Sequence, residues 1–599
     1  MPRSTRRSLL PRSAALLLCA AAFLAAFPPA STPAWAQPKL PPAAAIASAH
    51  PAATAAGEQV LNAGGNAFDA AIAVAATLAV VEPYSSGLGG GGFWLLYLAD
   101  EDRSVFVDGR ERAPLAANRD MYLNAAGELV PDLSLNGPLA AGIPGVPAAL
   151  DHLAAQYARL PLEQTLAPAI RLARDGFPVD SHYRRLAEWR LEVLRASPAA
   201  AEQFLVDGQV PAEGYLLRQP ALATALERIA ARGRDGFYTS ELAEQLVNGV
   251  REAGGIWTME DLRDYRIIER APFVFHYGDW TITSAPPPSA GGVGLAQMMR
   301  MLESLESEGQ ELRDRDRVTR THLIVESMRR AYRDRAAFLG DPDQIEMPLT
   351  RLTHPYYAAG LARDIDPSHV TPSIISSASE GSSGPKAPTD VPSEGQDTTH
   401  FSILDAAGNR VAATLSINYP FGSGFVPPGT GVLLNDEMDD FAAQPGVANA
   451  YGLVGGEANA IAPGKRMLSS MSPTFVESDQ GVAILGTPGG SRIITMVLNA
   501  ILALTEGGTP DDWVGAPRFH HQYLPDVIQH EPDAFTAREQ AELQAMGHRL
   551  KTVDPAMFGN MQLLYWDRAR AEVQAASDPR GHGTAVVLPA RQPTAAASK

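Results

Sequence analysis

The chain has 599 residues, 45% of them hydrophobic and 19% charged, with a formal net charge of −18. That balance fits a globular protein with a sizeable core, and length alone predicts about three to five domains. The acidic surface argues against nucleic acid or an anionic membrane as partner.

Residues 1–36 read as a signal peptide: arginines first, an apolar run from Ala14 to Phe27, then Ala34-Trp35-Ala36 as an A-x-A cleavage site. The mature chain then begins at Gln37 and is expected in the periplasm or the medium. The run is short for a membrane span, and an uncleaved anchor is the alternative. Arg6-Arg7 also resembles a twin-arginine export signal. Removing the leader takes away four arginines and no acids, moving the charge from −18 to −22. It also takes away Cys19, the only cysteine, which excludes disulfides, thiolate metal sites and cysteine catalysis.

From Ala43 to Val81 the chain reads as two helices, the first ending at a glycine pair and the second capped by Asn66. "SSGLGGGGFWLLYLA" is a glycine loop running into an apolar strand. With neither a following helix nor a lysine, it is not a phosphate cradle. "SVFV" is a strand ahead of "DGRERAP", residues 145–270 are mostly helical, and 318–343 reads as a long amphipathic helix ended by Gly340 and Pro342. Residues 371–397, rich in Ser, Pro and Gly, read as a flexible linker. After Thr398 strand pairs dominate, 401–404 with 410–417 and 474–477 with 482–486, followed by the helix in "SRIITMVLNAILALTEGG". The mixture predicts a layered α+β protein.

Several stretches carry chemistry. In "VAILGTPGGSRIITMVLNAIL" a strand meets Gly489-Gly490 at a helix start, where backbone N–H groups and the helix dipole suit an oxyanion; a plain tight turn is the alternative. "LLNDEMDDF" sets four carboxylates within five residues, either a solvated acidic loop or a site for an ammonium group. Ser469-Ser470 supply adjacent hydroxyls or form an ordinary turn. Arg110 is an anion ligand or half of a surface ion pair. His400, two residues after Thr398, is a weak candidate for a serine-protease-like dyad with it.

The motifs "DTTHFSILDAAGNRVAATLSINYPFGSGF", "GVLLNDEMDDFAAQPGVANAYGLVGGEANAIAPGKRMLSSMSPT" and "GTPGGSRIITMVLNAIL" closely resemble the small subunit of bacterial γ-glutamyltransferases. "EPYSSGLGGGGF", "DGRERAP", "APPPSAGG" and "AAFLGDPD" resemble that family's large subunit, and the likeness runs over roughly 43–585. It implies an N-terminal-nucleophile hydrolase with a four-layer αββα sandwich, made as a precursor that cuts itself between Asp397 and Thr398. The large subunit would be 37–397 and the small catalytic subunit 398–599, interwoven. Thr398 would attack the γ-carbonyl of a γ-glutamyl amide such as glutathione or glutamine, with water or an amino acid or peptide taking the acyl group. By the same resemblance Gly489 and Gly490 form the oxyanion hole. Arg110, Ser469 and Ser470 take the donor's α-carboxylate, and Asn418, Glu437 and Asp440 its ammonium. Tyr451 closes a lid, and no metal or organic cofactor is needed. Ser416 stands where relatives usually carry a threonine that bonds the nucleophile. A glutaryl-cephalosporin acylase of the same fold and a non-catalytic exported γ-glutamyl-binding protein are the competing readings.

Overall fold

A computed structural model describes residues 40–306, 311–373 and 398–589. The predicted signal peptide, most of the predicted linker and Asp397 lie outside the described residues.

Two antiparallel sheets form the centre. The first has seven strands in the order Thr584–Pro589, Ala43–Ser48, Thr399–Leu404, Arg410–Ser416, Gly91–Leu98, Arg103–Gly109 and Ile268–Arg270. The second has six: Glu572–Ser577, Gln562–Asp567, Gly481–Gly486, Thr474–Glu477, Trp280–Ser284 and Phe273–Tyr277. Phe93, Leu95, Phe106 and Ala412 of the first meet Val482, Ile484, Leu564 and Trp566 of the second in a buried layer between them. Helices Pro51–Asn62 and Ala67–Val81 cover the outer face of the first sheet. Gly291–Glu306 and Ile493–Thr505 cover that of the second. The layers are therefore αββα, as the resemblance implied. Pro41 onward is one compact unit, not several domains. The reason is that each sheet draws strands from distant parts of the chain.

Ala43–Ser48 is a strand, where the alanine run predicts a helix. Ala43, Ala45 and Ala47 point into the layer between the sheets, and Ile46 points into the helix layer. A strand buried on both faces shows no polar alternation, so alanine's helix propensity is all that the sequence displays. The helix begins only at Pro51, with the His50 side chain accepting from the Ala52 N–H. The second helix starts as read, with Asn66 and Asp69 completing a capping box.

The helix Arg317–Phe338 buries its charged side as well as its apolar one, including Glu326, Arg329, Arg330, Asp334 and Arg335. Thr371 and Ser373, predicted as linker, are held down. The Thr371 N–H donates to Glu326 at 3.3 Å and the Ser373 N–H to Asp526 at 2.8 Å.

Candidate active site

The hairpin Thr399–Leu404 with Arg410–Ser416 pairs Thr399 opposite Leu415. One step further along that register Thr398 faces Ser416, and the two hydroxyl oxygens lie 3.2 Å apart. The Asn418 N–H donates to the Ser416 Oγ at 2.8 Å, which fixes that hydroxyl. A serine hydroxyl thus stands where the resemblance expects that of a threonine. The Thr399 hydroxyl donates to the buried Glu82 at 2.7 Å and anchors the strand behind the nucleophile. Thr398 has φ +142°, a region that β-branched residues avoid.

The glycine loop is needed for close approach. A Cβ on Gly90 would lie 2.1 Å from the Ser416 carbonyl oxygen, and one on Gly89 2.0 Å from that of Leu433. Only glycines let this loop press against the strand that carries Ser416 and against the acidic segment. Asn435 ties the same parts together, its amide donating to the Gly89 and Gly142 carbonyls.

A small cavity opens on one side of Thr398. Arg110, Ser416, Asn418, Glu437, Asp440 and Tyr451 line it, together with Ser469, Ser470 and Gly490. The predicted set is thus brought together, with Gly489 adjoining. Arg110 is no surface residue: it is 1% exposed. Its guanidinium donates to Glu437 at 2.7 Å, to Asp440, and to the Met467 carbonyl at 3.2 Å, with Glu111 3.5 Å away. Burial opposes the charge of Arg110, but Glu437, Asp440 and Glu111 outweigh it and hold its pKa above the ordinary value. Burial pushes the Glu111 and Glu437 carboxyls up, and repulsion adds to it, from Glu437 on Glu111 and from Asp440 on Glu437. One guanidinium therefore serves three carboxylates, and Glu437 Oε1 and both oxygens of Glu111 lack a hydrogen-bond donor. Glu437 and Asp440 line the cavity, so Glu437 Oε1 stands ready to accept a further donor.

The hydroxyls of Ser469 and Ser470 behave alike. Ser469 Oγ accepts from the Met471 N–H at 3.0 Å and Ser470 Oγ from Arg335 at 3.2 Å. Each oxygen is already an acceptor, which leaves its O–H to donate to an anion.

The acidic quartet is divided by its partners. Asp439 accepts from the Ser134 hydroxyl at 2.7 Å and the Ala450 N–H at 2.9 Å. Asp436 accepts from the Tyr419 N–H at 2.9 Å. Only Glu437 and Asp440 pair with Arg110, and none of the four belongs to a solvated loop.

Gly489 and Gly490 have φ +132° and +56°, and a single 3₁₀ turn, Gly490–Arg492, precedes the helix expected directly after them. A Cβ on Gly490 would come 2.5 Å from the Tyr451 ring. Tyr451 is buried, donates to the Asn418 carbonyl at 2.8 Å, and is held from behind by Gln522 donating to its carbonyl at 3.0 Å. It is part of the cavity lining.

His400 is not a dyad partner. Its ring nitrogens pair with Thr414 at 2.8 Å and Ser402 at 3.2 Å, and burial lowers its pKa to about 3, so it is neutral. The sequence reading missed Glu82, Glu111 and Arg335. Glu111 and Arg335 stand beside singled-out motifs, in "DGRERAP" and just before "AAFLGDPD", but nothing local marked them as site residues. On the far side of Thr398 a second cavity is lined by Glu82, Tyr84, His182, Asn560 and His582. Among the described residues there is no group of His, Cys, Asp and Glu able to hold a metal ion, and no helix long and apolar enough to cross a membrane.

A hydroxyl at the head of a strand, a glycine turn bordering the same cavity and an αββα sandwich beneath it define an N-terminal-nucleophile hydrolase. Known proteins narrow this further. The sequence profile described as γ-glutamyltranspeptidase matches residues 53–588. The glutathione hydrolase proenzyme of Pseudomonas aeruginosa is 41% identical over 88% of this chain and 92% of its own length. That of Escherichia coli K12 is 39% identical over 89% and 90%. Among solved structures, the cephalosporin acylase of Bacillus halodurans superposes with a TM-score of 0.78 at 27% identity, covering 94% of this chain and 99% of that one. The chain belongs to the γ-glutamyltranspeptidase family.

Proposed function

We propose that the chain is a self-cleaving γ-glutamyltransferase that hydrolyses γ-glutamyl amides such as glutathione, or transfers the γ-glutamyl group to amino acids or peptides. The observation that carries this reading is the pocket beside Thr398, where Glu437 and Asp440 face Ser469 and Ser470 and Glu437 Oε1 lacks a donor. A γ-glutamyl group is a zwitterion at its far end: its ammonium fits between Glu437 and Asp440, and its carboxylate meets Ser469, Ser470 and the Arg110 guanidinium. A glutaryl group has no ammonium to donate to Glu437 and Asp440, which disfavours the acylase reading.

The cut falls between Asp397 and Thr398, giving chains Gln37–Asp397 and Thr398–Lys599. Before it, the nitrogen of Thr398 is an amide and cannot take a proton. Afterwards it is an amine with an unperturbed pKa of about 8, able to deprotonate the adjacent Oγ1. Cleavage also abolishes the strained φ of Thr398, because no residue then precedes it. A binding protein has no use for either change. Thr398 Oγ1 attacks the γ-carbonyl, Ser416 orients that hydroxyl, and the Gly489 and Gly490 N–H groups receive the oxyanion. The amine leaves, and water or an acceptor amine releases the γ-glutamyl ester. The signal-peptide pattern of residues 1–36 supports a periplasmic or extracellular site for this chemistry.

N-terminal sequencing of the purified protein tests the reading. Two chains starting at Gln37 and Thr398, and a single uncut chain for Thr398→Ala, are the expected outcome. A variant still cut at that bond would refute the nucleophile.

A further inference from the structure

Arg335 comes from the helix Arg317–Phe338 and is 7% exposed. Among the described residues no carboxylate lies within ion-pair distance of it, and its Nε has no hydrogen-bond acceptor. Its one side-chain hydrogen bond among the described residues runs from Nη2 to the Ser470 Oγ, at 3.2 Å. A buried arginine normally has a carboxylate partner, because an unpaired buried charge is costly. Arg110, near enough for its charge to act on Arg335, has three. The unpaired charge instead stands directly behind a hydroxyl that lines the ligand cavity.

We propose that Arg335 is a positioning residue for the α-carboxylate of the γ-glutamyl donor, acting through Ser470. By donating to Oγ it occupies the acceptor side of that hydroxyl and turns the O–H toward the cavity. Its positive charge makes the O–H a stronger donor and is itself neutralised only when an anion arrives. The two arginines thus divide the work. Arg110 is held by carboxylates in the empty site, whereas Arg335 waits for one from the ligand. This rests on the γ-glutamyl reading given above and adds to it the residue that orients the serine.

The test is a double-mutant cycle on γ-glutamyl-p-nitroanilide with Arg335→Met, Ser470→Ala and the pair, plus Arg335→Lys. Arg335→Met is expected to raise KM about tenfold or more with kcat within about threefold, the worth of one charge-assisted bond. In the Ser470→Ala background the same change should cost less than about twofold, because the arginine no longer has a hydroxyl to act through. Lysine should recover part of the loss. Equal losses in both backgrounds, or a fall in kcat with KM unchanged, would overturn the proposal and leave Arg335 a structural residue. If the methionine variant does not self-cleave, Arg335→Lys carries the same cycle with the charge retained. Wild-type protein inert on this donor would instead overturn the γ-glutamyl reading itself, so the two failures are distinguishable.

Discussion

Arg110→Lys separates recognition from charge. The guanidinium reaches Glu437, Asp440 and the Met467 carbonyl with three different nitrogens. A lysine ammonium keeps the positive charge among Glu111, Glu437 and Asp440, so folding and self-cleavage should persist. A single nitrogen cannot span two carboxylates and a carbonyl, nor meet a ligand carboxylate with a planar fork. Losing one charge-assisted bond costs about 2 kcal/mol, roughly thirtyfold in kcat/KM. The assay is release of p-nitroaniline from the γ-glutamyl anilide by the processed variant, with processing followed on a denaturing gel. A kcat/KM within twofold of wild type would refute the assignment. So would failure to self-cleave, since the cation would then be serving the cut rather than the ligand.

Gly490→Ala places a methyl against the Tyr451 ring at a residue whose φ is +56°; kcat should fall about a hundredfold as the oxyanion donors shift, measured on the same anilide. Glu82 is buried, and burial raises its carboxyl from 4.5 to about 7 against the opposing Thr399 bond. The folded state therefore holds a proton that the unfolded chain releases, and this stability is present below pH 4.5 and lost as pH rises through about 7. Glu82→Gln, which keeps an acceptor for Thr399, should gain on wild type over that window by about 3 kcal/mol, read from melting temperature against pH; parallel curves would refute it. Deleting 445–451 should leave self-cleavage intact while weakening selection of γ-glutamyl over glutaryl anilide, since it removes Tyr451 from the cavity lining. Unchanged selectivity would rule out a lid.

What the sequence displayed depended on how local each cause is. The nucleophile hairpin, the glycine turn and the second helix were legible because turn residues, caps and alternating strands are written within a few positions. Ala43–Ser48 was not, since its partners are 353 and more positions away and its alanines carry no strand signature. The quartet at 436–440 was visible as charge, but its division among Ser134, Tyr419 and Arg110 comes from segments remote in the chain. Arg335 looked like the polar side of an amphipathic helix. Only the packing of that helix beneath Ser470 makes it part of the site.

The strand Ala43–Ser48 sits between Thr584–Pro589 and Thr399–Leu404, and Arg410–Ser416 sits beside Gly91–Leu98. Under the proposed cut, strands of the two products alternate within one hydrogen-bonded sheet. They cannot part without tearing that sheet, so division of the covalent chain leaves a single folding unit. Halves from different molecules should then never trade places. Mixing processed protein bearing an isotope label with unlabelled protein should yield no hybrids at any dilution, and chains expressed apart should not assemble into active enzyme. The heterodimer is formed once, by folding, and has no association equilibrium of its own.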